Sequence, residues 1–217
     1  MSPYARRKAP KSYCMGRENE AGRMRKLYLF MSLSLDGYFE GPNHDISWHK
    51  VDEEFNKFAI EQLKETDLFL WGRRIYQLME AYWPKAAEDP SISGDNREIA
   101  RLMNGTEKLV FSKTLDKVGE TRNWKSVRLV HEFNPGEIRR LKERPGKDIG
   151  VGGPDLATSF VREGLIDEFR FMINPVALGE GTPIFRGMKG RMSLELVRTR
   201  KFDSGNILLY YKPVRQS

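Results

Sequence analysis

The sequence predicts a three-layer α/β/α protein with a mixed, mostly parallel sheet and a C-terminal antiparallel hairpin. Short apolar segments alternate with segments of helical period from residue 24 to residue 173, as in chains built from strand–helix–strand units. The last two strand-like segments, 193–202 and 207–214, follow each other directly across Asp-Ser-Gly-Asn, a composition typical of a hairpin turn. A length of 217 residues fits one domain.

The first strand is predicted over residues 24–35 from alternating side chains. One face is entirely apolar and carries Leu27, Leu29, Met31, Leu33 and Leu35. The opposite face changes from Tyr28 and Phe30 to Ser32 and Ser34. Because a strand buried on both sides is apolar on both faces, the serines predict that the end of this strand opens into a cavity.

The remaining elements follow from apolar periodicity and from end signals. Helices are predicted over residues 52–65, 73–80, 95–103 (or from 93), 135–143 and 154–162. Strands are predicted over residues 67–71, 108–111, 127–131, 148–151 and 168–173, with a loop over 84–93. The last of these helices begins with Pro154, which a first helical turn tolerates.

The basic charge is concentrated at the start of the chain. The formal net charge is +7, and six basic against two acidic residues precede Met24. Residues 1–23 are therefore predicted to be a disordered basic leader, and residues 24–217 a single domain. An alternative function of the leader is binding to nucleic acid or another acidic surface. The rest of the chain lacks the basic and aromatic strand pattern of such binders, so no nucleic-acid partner is expected.

Several protein classes are disfavoured by what the sequence lacks. No run approaches the ~18 apolar residues of a spanning helix, and the leader lacks the apolar core of a secretory signal. Cys14 is the only cysteine, which excludes a disulfide within one chain and a cysteine metal site. The three histidines lack a metal-ligand spacing. We therefore expect a cytoplasmic protein with no membrane partner and no bound metal.

Two connections between a predicted strand and a predicted helix carry features of phosphate binding. Residues 152–155 (GGPD) end a strand in glycines, where the N–H groups and dipole of a helix start favour an anion. Residues 72–74 (GRR) place two arginines at a helix start, which opposes the helix dipole unless an anion joins them. The alternative for residues 152–155 is a tight turn, and the alternative for residues 72–74 is a solvated charged turn. The carboxylate of Asp155 disfavours a phosphate directly at its own position.

Two further strand ends carry polar side chains. Ser112 and Lys113 follow the strand predicted over residues 108–111, and Asp36 and Gly37 follow the first strand. Trp48, in a later loop, either lines a pocket or covers the core. The alternatives are a capped turn and a common Asp-Gly turn. Because ligands of open α/β sheets bind at the carboxyl ends of strands, the four strand ends together predict a site for a phosphorylated nucleotide.

The order and spacing of these motifs resemble the dihydrofolate-reductase-like superfamily. They are most similar to the C-terminal reductase domain of bifunctional riboflavin-biosynthesis deaminase–reductases. The resemblance covers residues 25–213 and rests on the closing strands and on LYLFMSLSLDGYFEG, TDLFLWGRRIYQLM, KLVFSKTL and IGVGGPDLATSFVREGLIDEFRFMINPVALGEGTPIF. It implies a dihydrofolate-reductase-like sheet and a homodimer. The HxE and PCxxC zinc pattern of the deaminase is absent from the sequence.

The resemblance implies NADPH as the cofactor, held through its phosphates. The cofactor-binding residues that it implies are Gly72, Arg73, Arg74, Ser112, Lys113, Gly152, Gly153, Pro154, Asp155 and Leu156. Ser112 and Lys113 match the strand end that holds the adenosine 2′-phosphate, which favours NADPH over NADH. Ile75 stands where a hydroxyl residue is common in the family, so one hydrogen bond to the cofactor is expected to be missing.

The activity implied is hydride transfer from NADPH to a C=N or C=O carbon of a small pterin-, pyrimidine- or ribityl-like substrate, as in a 5-amino-6-(5-phosphoribosylamino)uracil reductase. Substrate contacts are expected from Asp36, Gly37, Trp48, Asn174, Pro175 and Gly179. Asp36 is the candidate catalytic acid or substrate anchor, and water is the alternative proton donor. The alternative function is a dimer that binds NADPH without turnover.

Overall fold

The computed structural model describes residues 24–92, 94–119, 124, 126–188 and 190–214, so the predicted leader and Cys14 lie outside the described residues. The strands are β1 (Leu27–Leu33), β2 (Tyr38–Glu40), β3 (Thr66–Gly72), β4 (Glu107–Phe111), β5 (Val127–Val130), β6 (Asp148–Gly152), β7 (Glu168–Ile173), β8 (Thr182–Pro183), β9 (Leu194–Lys201) and β10 (Ile207–Pro213). The helices are α1 (Glu53–Lys64), α2 (Arg73–Ala86), α3 (Gly94–Gly105), α4 (Pro135–Glu143) and α5 (Pro154–Arg162).

Eight strands form one sheet in the order β5-β4-β3-β6-β1-β7-β10-β9. The first six strands of this order pair in parallel, and β10 runs antiparallel to both β7 and β9. The backbone N–H of Phe202 donates to the carbonyl of Asn206 and closes the final hairpin. The prediction of a mixed, mostly parallel sheet that ends in an antiparallel hairpin is therefore confirmed. The separate pair of β2 and β8 was not predicted, because both strands are very short.

Helices cover both faces of the sheet, which makes the three layers. The odd-numbered apolar residues of β1 pack in one cluster with Ile138 of α4 and Phe160 of α5. On the opposite face, Phe30 of β1 packs with Phe58 of α1, and Tyr76 of α2 and Ile99 of α3 belong to a neighbouring cluster. Among the described helices, none is long and apolar enough to cross a membrane.

The two serines at the end of β1 make hydrogen bonds to loops. The hydroxyl of Ser34 is buried, donates to Asp36 and accepts from the backbone N–H of Tyr38. The hydroxyl of Ser32 accepts from the side-chain amide of Asn174 at 2.9 Å. Neither serine lines the cleft described below, so the cavity inferred at this strand end stays a prediction.

Helix α2 is longer than its sequence predicts, because it continues through Pro84 to Ala86. Proline lacks an N–H and usually ends a helix, which is why a loop is predicted from this residue. In the structure Pro84 is buried in the last turn, and Met79 and Trp83 pack against the cluster around Tyr76. This packing stabilises a last turn that local preference disfavours.

Candidate nucleotide-binding site

A cleft of about 370 Å³ opens where β6, β3, β4 and β5 end. Its lining residues are Gly72, Arg73, Arg74, Ile75, Phe111, Ser112, Lys113, His131, Phe133, Gly153, Pro154, Asp155, Leu156 and Ser159. Nine of the ten residues predicted to bind the cofactor are in this set, and the tenth, Gly152, directly precedes Gly153. The structure therefore brings the predicted strand-end residues into one place.

Two glycines allow the two strand-to-helix connections to pack against each other. Gly153 has a φ of 101°, and a Cβ atom there would lie 3.2 Å from Cγ1 of Ile75 and 3.6 Å from the backbone nitrogen of Gly72. A Cβ atom on Gly152 would lie 2.9 Å from Cδ1 of Trp71. The close approach sets the N-termini of α2 and α5 side by side at the cleft. Helix N-termini present unpaired N–H groups and positive potential, which suit an anion.

The arginines of the connection between β3 and α2 have different partners. Arg74 donates to Oε2 of Glu40 at 3.1 Å, and Glu40 also accepts from the hydroxyl of Thr182 and contacts His44 at 2.9 Å. Burial opposes ionisation of Glu40, but the hydrogen bonds of His44, Thr182 and Arg74 outweigh it and lower its pKa. Within the described residues, Arg73 donates only to the hydroxyl of Thr114, at 3.2 Å. The charge of Arg74 is therefore matched by a carboxylate, whereas Arg73 has no carboxylate partner among the described residues.

The end of β4 adds a second unmatched cation and a constrained hydroxyl. Lys113 is exposed and has no ion pair within the described part of the chain. The hydroxyl oxygen of Ser112 accepts from the backbone N–H groups of Thr114 at 3.2 Å and Leu115 at 3.0 Å, which shapes the turn. The same hydroxyl lies 3.5 Å from the hydroxyl of Thr114, so Ser112 and Thr114 stabilise the turn together.

Five lining residues were not predicted: Ile75, Phe111, His131, Phe133 and Ser159. Ile75 was noted only for the hydroxyl it lacks. His131 follows the end of β5, just as Lys113 follows the end of β4, so the rule that ligands bind at strand ends could have found it. Phe111 and Phe133 stand edge-on at 6.3 Å between ring centres and give the outer part of the cleft an apolar wall.

None of the residues predicted to contact substrate lines this cleft. Asp36 instead joins two loops, because its carboxylate accepts from the hydroxyl of Ser34 at 2.7 Å and from the backbone N–H groups of Leu178 and Gly179, the latter at 2.8 Å. The hydrogen bonds from Ser34 and Gly179 lower the pKa of Asp36 to about 2. Asp36 is therefore ionised at neutral pH, which suits an anchor and not a proton donor. Gly37 lies in the same turn with a φ of 87°.

Asn174 holds a second loop against the sheet. It is fully buried, and its amide donates to Ser32 and to two backbone carbonyls while its oxygen accepts from the backbone N–H of Lys50. Trp48 precedes this point and donates to the carbonyl of Asp45 at 3.1 Å. Pro175 packs near Gly205 of the closing hairpin. Asn174 thus has a supporting role, with its hydrogen-bonding capacity already used.

The mixed eight-stranded sheet, covered on both faces and carrying a cationic cleft at its strand ends, defines a dihydrofolate-reductase-like protein. More narrowly, the chain belongs to the RibD C-terminal domain family, whose model matches residues 25–208.

Individual relatives agree with this assignment. YyaP of Bacillus subtilis (strain 168), an uncharacterized protein, is 36% identical over 190 residues, which cover 87% of this chain and 95% of YyaP. A pyrimidine reductase-like protein from Corynebacterium diphtheriae NCTC has a TM-score of 0.60 at 17% identity, over 88% of this chain and 93% of that one. Dihydrofolate reductase from Enterococcus faecalis, solved with NADP(H), has a TM-score of 0.57 at 14% identity, over 88% and 98%. At these identities the two solved structures support the shared fold alone.

Proposed function

We propose that this protein is an NADPH-dependent reductase of a small pyrimidine- or pterin-like substrate, related in chemistry to the reductase of riboflavin biosynthesis. The observation that carries the proposal is the cleft itself, in which two helix N-termini meet two cations, Arg73 and Lys113, that have no carboxylate partner in the part of the chain that the structure describes. Membership of the RibD C-terminal domain family and the NADP(H)-bound neighbour support the same cofactor. The name of the pyrimidine reductase-like neighbour supports the substrate class.

The dimensions of the cleft suit a dinucleotide. Four neighbouring strands end along it, and three spacings of ~4.8 Å give about 14 Å, which is close to the length of an adenosine diphosphate. The glycine-lined connections after β6 and β3 fit the pyrophosphate, because the absence of a side chain at Gly153 lets the two connections, and with them two helix N-termini, lie close together. Arg73 and Lys113 also line the cleft, and the side chain of Arg73 reaches Thr114 after β4, so both cations would be available to the adenosine 2′-phosphate.

The chain's own contribution to the reaction is binding, orientation and support. When bound, NADPH supplies the hydride. The N-termini of α2 and α5 and the side chain of Arg74 would hold the diphosphate, and the hydrogen bond from Arg74 to Glu40 positions Arg74 for this. Asp36 anchors the loop around Gly179, and its lowered pKa leaves water as the source of the proton at neutral pH.

The first test is replacement of Arg73 by alanine. We expect Arg73→Ala to weaken NADPH binding about tenfold, since a hydrogen bond to a charged group is worth about 1.5–3 kcal/mol. Quenching of tryptophan fluorescence on titration with NADPH measures the dissociation constant. Arg101→Ala is the matched control, because it removes the same charge from the exposed face of α3. If NADPH leaves both the fluorescence and the melting temperature of the wild-type protein unchanged, the proposal is wrong.

A non-catalytic NADPH-binding protein is the second candidate. It is favoured by the lining of the cleft, which contains none of the six residues predicted to contact substrate. Loss of NADPH absorbance with a panel of pyrimidine and pterin substrates separates the two candidates. Binding without any oxidation of NADPH would support the second.

A further inference from the structure

Glu40 connects the cleft to a loop outside it, through the short two-stranded sheet of β2 and β8. Glu40 ends β2, and its register partner in β8 is Thr182. Oε2 of its carboxylate accepts from Arg74 at 3.1 Å, and Oε1 accepts from the hydroxyl of Thr182 at 2.9 Å. The third partner, His44, is exposed and belongs to the adjacent turn. One carboxylate therefore joins an arginine that lines the cleft to a residue that does not line it.

The loop of residues 178–182 is fastened at both of its ends. At the first end, the carboxylate of Asp36 accepts from the backbone N–H of Gly179 at 2.8 Å. At the second end the loop lies directly against Glu40, since a Cβ atom on Gly181 would collide with the carbonyl oxygen of Glu40. Two carboxylates from the segment that follows β1 thus hold this loop, and Glu40 is the one that also reaches the cleft.

The side chain of Arg74 keeps capacity for a ligand. It lines the cleft and is 46% exposed, and in the described part of the chain its one hydrogen bond is to Glu40. A guanidinium has five N–H donors, so Arg74 can donate to a diphosphate oxygen without releasing Glu40. A side chain held between two anions has less conformational freedom than a side chain held by one bond. A bound diphosphate therefore fixes Arg74 and the carboxylate that it contacts.

The burial of Glu40 extends this effect to the loop. Its carboxylate is only 7% exposed, so it depends on protein donors in place of the water that it has lost. When Arg74 is fixed, the oxygen atoms that receive the Thr182 hydroxyl are fixed as well. Coupling between two sites is reciprocal, so loss of the hydroxyl loosens Glu40 and, through it, Arg74.

We propose that Glu40 is a positioning residue that couples the cleft to the loop of residues 178–182. A bound dinucleotide holds this loop through Arg74, Glu40 and Thr182, and a loosened loop weakens dinucleotide binding. The inference rests on the proposed function, because it assumes that the cleft holds a dinucleotide. It gives the sheet of β2 and β8 a role in ligand binding.

The test removes the hydroxyl of Thr182, which lies outside the cleft, from the full chain. Amide hydrogen exchange of residues 178–182 is measured with and without NADPH, and tryptophan fluorescence gives the dissociation constant. In wild-type protein we expect NADPH to slow this exchange about fivefold. In Thr182→Val the slowing should be lost and NADPH should bind about fivefold more weakly. Thr182→Ser, which keeps the hydroxyl, should restore both.

Thr106→Val is the matched control. It removes a buried hydroxyl that donates to the carbonyl of Leu102 at 2.8 Å, just before β4 and thus at the other end of the sheet. Its loss should leave both the dissociation constant and the slowing of exchange at their wild-type values.

Three results overturn the inference and leave the proposed function standing. The first is NADPH binding to wild-type protein without slower exchange in the loop. The second is a Thr182→Val variant that keeps the wild-type dissociation constant and slowing, even with a lower melting temperature, because the hydroxyl then only supports the fold. The third is Thr182→Ser as defective as Thr182→Val. If wild-type protein does not bind NADPH at all, it is the proposed function that fails, and the inference fails with it.

Discussion

Lys108 is a fully buried lysine without a carboxylate partner among the described residues. Its ammonium group donates to the carbonyls of Asn104, at 3.1 Å, and Thr106, and lies 4.1 Å from the ring centre of Trp124. Carbonyls at the end of α3 and an aromatic face attract a cation, but they do not replace its hydration. Desolvation by burial therefore lowers the pKa of Lys108 to about 7.

This pKa predicts how stability depends on pH. Between pH 7 and 10.5 the unfolded chain keeps the proton of Lys108 that the folded chain has lost, so the free energy of unfolding rises with pH in this window. From pH 7.5 to pH 9 we expect a gain of about 1–2 kcal/mol, measured by urea unfolding. Lys108→Met should remove this rise, and Lys57→Met, at an exposed position, should keep it. An unchanged rise in Lys108→Met would contradict the explanation.

The sequence predicted which residues line the cleft where a general rule about strand ends applies to their position. The rule that ligands bind at the carboxyl ends of strands correctly placed Gly153, Arg73 and Lys113 at the cleft. It depends on where a residue follows a strand and not on the packing around it. Asp36 and Asn174 follow strands as well, but hydrogen bonds from distant loops engage them. Such long-range partners leave no trace in local sequence, so a buried support and a ligand-binding side chain look alike before the fold is known.

The connection between β3 and α2 packs directly against the connection between β6 and α5, so the two form one structural unit at the cleft. Residues 72–74 and 152–154 belong to different strand–helix pairs, yet Gly153 approaches Gly72 and Ile75 closely. Side-chain patterns predicted the strands and helices on both sides of these connections. They did not predict the contact, because strand adjacency is not encoded in the pattern of one element. The continuation of α2 through Pro84 has the same origin, since tertiary packing stabilises it.

Replacement of Gly153 by alanine tests this unit. The φ of 101° is strained for a residue with a Cβ atom, and the added atom would lie 3.2 Å from Ile75. We expect Gly153→Ala to lower the free energy of unfolding by roughly 1–3 kcal/mol and to weaken NADPH binding. Gly105→Ala is the control, because a Cβ atom there meets no other atom within 4 Å. Equal stability of the two variants in urea unfolding would show that the connection tolerates a side chain.

The two ends of the parallel strands have different roles in the whole molecule. The carboxyl ends line the cleft, whereas a buried ionic network lies at the amino ends of β6, β1 and β7. Arg170 of β7 contacts Glu168 at 2.6 Å and Asp148 of β6 at 3.6 Å, and its guanidinium stacks 3.9 Å from the ring centre of Tyr28 in β1. The network joins three adjacent strands. The order of those strands, and thus the network, could not be derived from charge pattern alone.

This separation predicts that stability and cofactor binding can be changed independently. Arg170 is 4% exposed, and its removal takes a buried cation away from Glu168 and Asp148, whereas Lys26 still contacts Glu168 at 3.4 Å. Breaking a buried ion pair typically costs about 3–5 kcal/mol. We therefore expect Arg170→Met to lower the urea midpoint strongly. At temperatures where the variant is folded, its dissociation constant for NADPH should stay within about twofold of wild type. Arg73→Ala should show the opposite pattern, with weakened binding and a nearly unchanged midpoint. Arg73 is exposed, and its one hydrogen bond among the residues that the structure describes is to Thr114. If the two variants change both quantities together, the cleft and the network are coupled through the sheet and do not act separately.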